Sequence, residues 1–339
     1  MHKKFFMRRT FFYLIVLLVF SCNERLGRAD GKGSQVAKDY PTRPVRLIEP
    51  FGAGGGPDLI ARAISPKLSE LWGQPVTVEN HPGDGSTAAP ALVAKSPADG
   101  YTLLVNTSAQ AYSAALAMKL PYDPLKDFVP IAPLTSQPYV LLTGKVSGIK
   151  TVSELIAAAK RQKGQMKFGT SGLGTGTHIG LEKFNFEAGI IATHVPAQKG
   201  EAITNVIANT IEGRFTYMLA PIQLAMKDIH EGKLVALGVT TRQRSMLLPE
   251  VPTIAEAGVA DFDYAIWYGI WAPAGTPAET VDKLSKDIRH VLQTPDMRDW
   301  FRQHGADVMN MSQPEFARFV LSETENAARI IKAAGGKTQ

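Results

Sequence analysis

The stretch Val45-Arg-Leu-Ile-Glu-Pro-Phe51, followed by Gly52-Ala-Gly-Gly-Gly-Pro-Asp58, decides how this chain is interpreted. Its first part has the apolar residues of a strand in an α/β sheet, and its glycines suit a tight turn. Pro57 and Asp58 favour the first turn of a helix, which apolar residues at helical spacing continue to Trp72. The stretch predicts a strand, a loop and a helix whose free N–H groups suit an anionic oxygen.

Two well-known phosphate-binding loops do not fit this stretch. The dinucleotide pattern Gly-x-Gly-x-x-Gly would start at Gly52 but meets Pro57 at its third glycine. A P-loop requires Gly-Lys-Ser/Thr where Pro57 and Asp58 stand. Nucleotide binding is therefore disfavoured, and a tight turn that only lets strand and helix pack remains a second interpretation.

The first 22 residues have the features of an export signal. Four basic residues precede an apolar run over residues 11–20, which is shorter than the roughly 20 apolar residues that span a bilayer. Cys22 is the only cysteine. It stands where a bacterial lipoprotein carries its lipid, although cleavage by an ordinary signal peptidase fits as well. Residues 23–39 predict a flexible tether, and both alternatives place the folded part in the periplasm.

The basic composition belongs mostly to this N-terminal region. The chain has a formal charge of +6, of which +4 lies in residues 1–22 and +1 in residues 23–39, so residues 40–339 carry only +1. Such a small charge gives no basis for a nucleic-acid surface. The sequence also lacks His-x-x-x-His, Cys-x-x-Cys and acidic calcium-loop motifs, so neither a metal nor another cofactor is expected.

A second strand, glycine-rich loop and helix follows in the other half of the chain. Residues 166–168 read as a strand that runs into Gly169-Thr-Ser-Gly-Leu-Gly-Thr-Gly-Thr177, and a helix starts at His178. Alternating strands and helices predict α/β domains with parallel sheets, and 300 residues suffice for two of them. Since ligands favour the carboxyl ends of strands and clefts between domains, the two loops predict a ligand held between two domains.

Further elements follow from local signals. Thr151 and Glu154 form a predicted capping box for a helix over residues 151–161. Strands are expected over residues 76–80 and 234–239, and tail helices over residues 277–292, 295–303 and 313–334. The extended segments 130–144 and 262–271 are expected to carry the chain from one domain to the other and back.

Ser171 invites comparison with a catalytic nucleophile. The nucleophile elbow Gly-x-Ser-x-Gly fails here because Leu173 stands at its last position. A triad would also need a histidine and an acid close to Ser171 in space, and His178 and His194 are the nearby histidines. The sequence does not exclude that arrangement, but the failed motif disfavours acyl transfer. His178 is equally well explained as a helix-start histidine bound to local backbone. Lys199 is either a cation near the anion or an ordinary surface lysine.

An ordered set of motifs runs through most of the folded part. They are Tyr40-Pro-x-Arg-Pro44, Pro50-Phe-Gly-Ala-Gly-Gly-Gly-Pro-Asp58, Gly73-Gln-Pro-Val76, Val78-Glu-Asn80, Asp99-Gly-Tyr-Thr-Leu-Leu104, Leu120-Pro-Tyr-Asp-Pro124, Gly172-Leu-Gly-Thr175 with His178, His194-Val-Pro196, Gly232-Lys-Leu234, Pro249-Glu-Val-Pro-Thr-Ile-Ala-Glu-Ala-Gly258, Trp267-Tyr-Gly269 and Ala272-Pro-Ala-Gly-Thr-Pro277. In this order they resemble the Bug-type solute receptors, the extracytoplasmic binding proteins of tripartite tricarboxylate transporters. The resemblance spans residues 40 to about 335.

The resemblance implies an α/β, two-lobe periplasmic-binding-protein fold of the Venus flytrap kind (type II) with two crossover segments. Lobe 1 would comprise residues 40–140 and 264–339, and lobe 2 residues 141–263. It implies a receptor, expected to be a monomer, that captures a small carboxylate without chemistry and delivers it to the membrane subunits of a transporter. An exported hydrolase or other enzyme acting on a small acid or ester is the alternative, and an orphan scaffold that lost transport is a third.

The resemblance also carries over a set of ligand contacts made by backbone and hydroxyl groups with ordered waters. These contacts are Phe51, Gly54, Gly55, Gly56, Asp58, Thr107, Ser108, Gln137, Thr170, Ser171, Gly174, Thr175, His178, Lys199 and Gly200. The chain departs from its relatives at Ala220, where many carry an acid, and before Lys199, where it is one residue longer. Ala220 argues against an amine on the ligand, because a buried ammonium would want a carboxylate partner. Aromatic acids, citrate-like acids and small dicarboxylates all stay open.

Overall fold

The structure is a computed structural model that describes residues 39–82, 87–116, 119–198 and 203–333. The export segment with Cys22, nearly all of the tether, and Lys199 and Gly200 lie outside these residues, so what the sequence predicts for them stays a prediction. In the part of the chain that is described, no helix combines the length and the apolar character needed to cross a bilayer.

Strands and helices alternate through the chain, as the sequence predicts. The strands are β1 Val45–Glu49, β2 Val76–Asn80, β3 Thr102–Thr107, β4 Phe128–Gly144, β5 Lys167–Thr170, β6 Thr193–Pro196, β7 Tyr217–Pro221, β8 Leu234–Val239, β9 Ala265–Pro273 and β10 Asp307–Val308. The helices are α1 Gly56–Trp72, α2 Ala88–Ala94, α3 Ala109–Ala115, α4 Val152–Gln162, α5 Gly176–Glu187, α6 Ile203–Ile211, α7 Ile222–His230, α8 Ala278–Gln293, α9 Pro295–Gln303 and α10 Gln313–Ala333.

One strand, β4, belongs to both parts of the sheet. The strand order is β2-β1-β3-β9-β4-β7-β5-β6, with β8 and β10 also paired to β4. From Phe128 to Pro138, β4 pairs with β9, whereas from Tyr139 to Gly144 it pairs with β7 and β8. We call β1, β2, β3, β9, β10 and the beginning of β4 the first sheet. The end of β4 with β5 to β8 is the second sheet.

The prediction of parallel sheets holds within each half of the chain but not where the chain crosses. β1 is parallel to β2 and β3, and β5 is parallel to β6 and β7. β9 is antiparallel to β3 and β4, and β4 is antiparallel to β7 and β8. The reason is that β4 leaves the first half and β9 returns to it, so the two strands run in opposite directions side by side.

Local signals place most element ends correctly. Thr151 Oγ1 accepts the Glu154 N–H at 3.1 Å, which confirms the N-cap of α4, and a Glu154 carboxylate oxygen accepts the Lys150 N–H at 2.7 Å. The core behind the cleft is aromatic, since Trp267 and Trp271 of β9 both pack against Phe316 of α10 with ring centroids 5.9 and 5.6 Å apart. This packing fixes β9 and therefore the residues it carries toward the cleft.

Candidate functional site

The first loop runs from the end of β1 to the start of α1 and closes largely on itself. Gly54 has φ +82°, a conformation that favours glycine. Its N–H donates to the Asp58 carboxylate at 2.8 Å, and the Gly55 N–H donates to the Gly52 carbonyl at 3.1 Å. The Phe51 N–H donates to Glu49 at 2.8 Å. The N–H of Gly56, the first residue of α1, has no such partner among the described residues, so it remains available as a donor.

A buried polar network holds this loop from behind. The Asp58 carboxylate also accepts from Arg62 Nε and Asn80 Nδ2, each at 2.8 Å. Burial alone would raise the pKa of Asp58, but the hydrogen bonds from Arg62, Gly54 and Asn80 lower it overall. Asp58 was predicted as a ligand contact. In the structure its carboxylate accepts hydrogen bonds from Gly54, Arg62 and Asn80 and so links the first loop to its neighbours.

Glu49 is the second acid of this network. It is fully buried at the end of β1 and accepts from the Phe51 N–H and from Asn80. Burial raises the pKa of Glu49 to about 7, although the hydrogen bonds from Phe51 and Asn80 oppose the rise. A carboxyl group that changes charge near neutral pH therefore lies directly behind the first loop.

The hydroxyl groups of the second loop, between β5 and α5, hydrogen-bond within the loop and to the residues beside it. Ser171 Oγ lies 2.9 Å from Thr177 Oγ1, and Thr175 Oγ1 donates to the Gly172 carbonyl at 2.7 Å. Thr170 Oγ1 lies 2.7 Å from His194 Nε2. These hydroxyls were predicted to face the ligand, and the structure brings them together between the end of β5 and the start of α5, where they bond to one another, to the Gly172 carbonyl and to His194.

Two neutral histidines support the second loop. The rings of His178 and His194 stack with centroids 4.4 Å apart. Burial lowers the pKa of His178 to about 3, with a further contribution from His194, and burial lowers the pKa of His194 to about 4. His178 Nδ1 accepts the Gly174 N–H at 3.3 Å. His178 is thus bound to local backbone, and Ser171 hydrogen-bonds to Thr177 rather than to either histidine, so Ser171 is not paired with a base.

The remaining predicted contacts lie where the two sheets meet. Thr107 Oγ1 accepts the Ala109 N–H at 3.1 Å, and the Ser108 N–H donates to the Trp267 carbonyl at 2.8 Å. The Ser108 hydroxyl is buried and lies 3.4 Å from where a Cβ on Gly176 would stand. Since Ser108 follows β3 and Gly176 begins α5, this contact joins the first half of the chain to the second.

Two tyrosines that are absent from the predicted ligand contacts lie against the starts of α1 and α5. A Cβ on Gly56 would overlap the Tyr268 hydroxyl, and a Cβ on Gly176 would overlap the Tyr139 hydroxyl. Gln137, a predicted contact, donates to the Tyr268 hydroxyl at 2.7 Å. Tyr268 lies in a motif that the sequence analysis noted, whereas Tyr139 lies in an apolar run that carries no local signal.

The chemistry available at this site is hydrogen-bond donation. Amides at the starts of α1 and α5 and phenolic hydroxyls surround it, and such donors bind carboxylate oxygens. Among residues 39–82, 87–116, 119–198 and 203–333, no group of three or more His, Cys, Asp or Glu side chains is placed to hold a metal ion.

Solved structures of similar proteins share this fold. Rpa4515 of R. palustris, solved with adipate, is 32% identical, covers 87% of this chain and 98% of its own, and superposes with a TM-score of 0.80. MatC of Rhodopseudomonas palustris, solved with malate, is 31% identical over 86% of this chain and 100% of its own, with a TM-score of 0.77. The periplasmic binding protein BugD is 28% identical over 87% and 99%, also with a TM-score of 0.77.

A comparison with protein-family models gives the same assignment. Residues 60–336 match the tripartite tricarboxylate transporter family receptor, TctC. This match and the solved relatives confirm the predicted two-lobe fold and the prediction of a solute-binding receptor over the alternative of an exported enzyme. The chain therefore belongs to the family of tripartite tricarboxylate transporter receptors.

Proposed function

We propose that this receptor captures a small carboxylate between its two lobes and releases it unchanged. The observation that carries the proposal is the pair of glycine-initiated helices, α1 and α5, which begin at Gly56 and Gly176 beneath hydroxyls of the crossover strands. Helix N-termini favour anions through their free N–H groups and the helix dipole. The bound adipate and malate of the two R. palustris proteins support a carboxylate as the ligand.

The lobe division at residues 140 and 264 forms part of the proposal. The change of β4 partner from β9 to β7 and β8 between Pro138 and Tyr139 supports a boundary there, and the start of β9 at Ala265 supports the return. Closure would bend the molecule about these two strands, and a ligand would favour closure by binding the closed form more tightly.

The predicted contacts take two different roles in this proposal. Backbone N–H groups at the helix starts, including that of Gly56, would bind the anion directly. Asp58 and His178 would instead hold the loops, because their polar atoms already bond to Gly54 and Gly174. Lys199 and Gly200 remain proposed contacts from the resemblance alone.

The cellular setting is also a proposal. The name of BugD, a periplasmic binding protein, and the predicted export signal support a periplasmic location. Family membership supports delivery of the ligand to the membrane subunits of a tripartite tricarboxylate transporter. We propose that the receptor acts as a monomer, and that Cys22 either carries a lipid anchor or is lost with the signal peptide.

A thermal-shift screen tests this function. The purified protein is melted with aliphatic and aromatic monocarboxylates, dicarboxylates, tricarboxylates and uncharged alcohols of similar size. At least one carboxylate should raise the melting temperature in a concentration-dependent way, because a ligand that binds only the folded state stabilises it by mass action. Mass spectrometry should recover that compound intact. A panel without any carboxylate hit, or conversion of the ligand, would contradict the proposal.

A further inference from the structure

Two buried tyrosines stand at the starts of the two cleft helices. Tyr268 of β9 lies against Gly56, and Tyr139 of β4 lies against Gly176, each at the position of the missing Cβ. Their side chains are 0% and 2% exposed. Each glycine thus admits a phenol to the helix start, where anion-binding N–H groups lie.

The hydrogen-bond network leaves the hydrogen of the Tyr268 hydroxyl free to donate. The backbone carbonyl of His304 can only accept, so the Gln223 side-chain nitrogen faces it. Gln223 Nε2 also donates to Gln137 Oε1 at 3.1 Å, which leaves Gln137 Nε2 to donate to Tyr268 Oη at 2.7 Å. The Tyr268 oxygen therefore accepts, and its own hydrogen has no acceptor among the described residues.

The Tyr139 hydroxyl also lacks a partner within the described residues. Beside it, the Ser108 hydroxyl is fully buried and makes no hydrogen bond of ordinary length, although the Tyr112 hydroxyl lies near enough to interact with it. Tyr264 stacks on Tyr139 with centroids 6.1 Å apart, but its hydroxyl donates to the Gly176 carbonyl at 2.8 Å and is already used. Leaving a buried polar group unpaired is costly, so the Ser108 hydroxyl points to an acceptor supplied from outside the chain. The two phenols each retain a hydrogen that has no acceptor among the described residues.

The two phenols belong to one surface. In the β4–β9 ladder Gln137 is opposite Ile266 and Pro138 is opposite Ala265. Because successive side chains of a strand point to opposite faces, Tyr139 and Tyr268 lie on the same face of the sheet. They are about four residues, or roughly 13 Å, apart along the ladder. Burial raises the pKa of Tyr139, and the nearby Tyr268 adds to the rise. Both groups therefore keep their hydrogens at neutral pH and remain donors.

We propose that Tyr268 and Tyr139 are specificity-determining residues that each donate a hydrogen bond to one end of a linear dicarboxylate. One carboxylate lies at the start of α1 with Tyr268, and the other lies at the start of α5 with Tyr139 and Ser108. The inference rests on the proposed function and adds that both ends of the ligand must be anionic acceptors. A monocarboxylate would satisfy only one of the two helix starts.

Calorimetric titration of single tyrosine variants tests this assignment. The ligands are the unbranched dicarboxylates from malonate to suberate and the monocarboxylates of equal carbon number. The proteins are wild type, Y268F, Y139F and the control Y217F, which removes a buried phenol that donates to Asn185 in the second sheet. Melting temperatures without ligand show that each variant is folded.

The expected result is tight binding of at least one dicarboxylate, weakened about 10-fold or more by Y268F and also by Y139F, since each removes a hydrogen bond to a charged group. Y217F should change the affinity by less than about twofold. The monocarboxylate of equal length should bind more weakly and should respond to only one of the two site variants.

Other outcomes separate this inference from the proposed function. Binding of tricarboxylates or aromatic monocarboxylates alone, with none of the linear dicarboxylates bound, would leave the receptor function standing and overturn the dicarboxylate assignment. Dicarboxylate binding that neither site variant weakens would overturn the role of the two tyrosines.

Discussion

At the scale of single residues, Asp58 holds the first loop in place. The side chain is 2% exposed, and its oxygens accept from Gly54, Arg62 and Asn80. We expect D58A to lower the free energy of unfolding by roughly 2–4 kcal/mol, because it leaves several buried donors without an acceptor. Urea unfolding measures this loss.

The control is D299A, which removes an exposed ion pair with Arg302 and should cost less than about 1 kcal/mol. Equal stabilities of D58A and D299A would show that Asp58 does not position the loop as described.

The stacked histidines predict a loss of stability in acid. Their pKa values are lowered to about 3 for His178 and about 4 for His194, so the folded state stays unprotonated where the unfolded chain binds protons. Stability is therefore full above pH about 6.5 and falls as the pH drops below it, by about 2 kcal/mol per histidine at pH 5. In H194Q the loss of unfolding free energy between pH 7 and pH 5 should be smaller by that amount.

Two carboxyl groups, of the buried Glu49 and the half-buried Glu182, have the opposite effect on stability over an overlapping pH range. Burial raises the pKa of Glu49 and of Glu182 to about 7, so each contributes a loss of stability as the pH rises from about 4.5 to 7. Both acids are present in wild type and in H194Q, so the difference between the two proteins isolates the histidine. H290Q, on the exposed surface of α8, should follow the wild-type profile. If H194Q follows it too, His194 does not titrate as proposed.

At the scale of elements, the start of α5 depends on a glycine that makes room for a phenol. A Cβ on Gly176 overlaps the Tyr139 hydroxyl, while the next nearest atoms are 3.4 Å away, at ordinary contact distance. We expect G176A to cost roughly 1–3 kcal/mol in the free energy of unfolding, as overpacking does. In G176A/Y139F most of that cost should disappear.

A double-mutant cycle measured by urea unfolding tests this coupling. The two substitutions should interact by at least about 1 kcal/mol, beyond the few tenths expected of independent sites. Additive effects would mean that α5 shifts to accommodate alanine without contact with Tyr139.

The elements also show how far the sequence predicts this structure. β2 and β8 have the predicted bounds, and α4 starts at its predicted cap, because each depends on neighbours a few residues away. The sequence analysis missed α3, whose N-cap Ser108 makes no side-chain cap hydrogen bond. The resemblance supplies the proposed ligand contacts, but it does not tell which of their polar atoms already bond within the protein, as those of Asp58 and His178 do. The role of Tyr139 depends on Gly176 and Tyr264, both remote in sequence, and local patterns do not report such contacts.

At the scale of the whole molecule, the near-neutral charge of the folded part predicts weak salt dependence of binding. Residues 40–339 carry a formal charge of only +1, and the site offers neutral amides and hydroxyls. We expect the affinity for a carboxylate to change by less than about threefold between 20 and 200 mM NaCl, since little long-range field is present to be screened. Titrations at both ionic strengths measure this. A tenfold loss of affinity would instead indicate that a cationic side chain contacts the ligand, and Lys199 would be the first candidate.

The place of β9 between β3 and β4 has a consequence for how a nascent chain reaches this structure. The second sheet can be completed once β8 has been synthesised, because its strands all lie between β4 and residue 239. The first sheet must wait for residues 265–273, and until then β3 and the beginning of β4 lack the neighbour that joins them. Unpaired edges of this kind recruit other strands, and pairing across long sequence separations is slow. We therefore expect late closure of the first sheet to be the step at which aggregation competes with folding, and the step that a chaperone would need to protect.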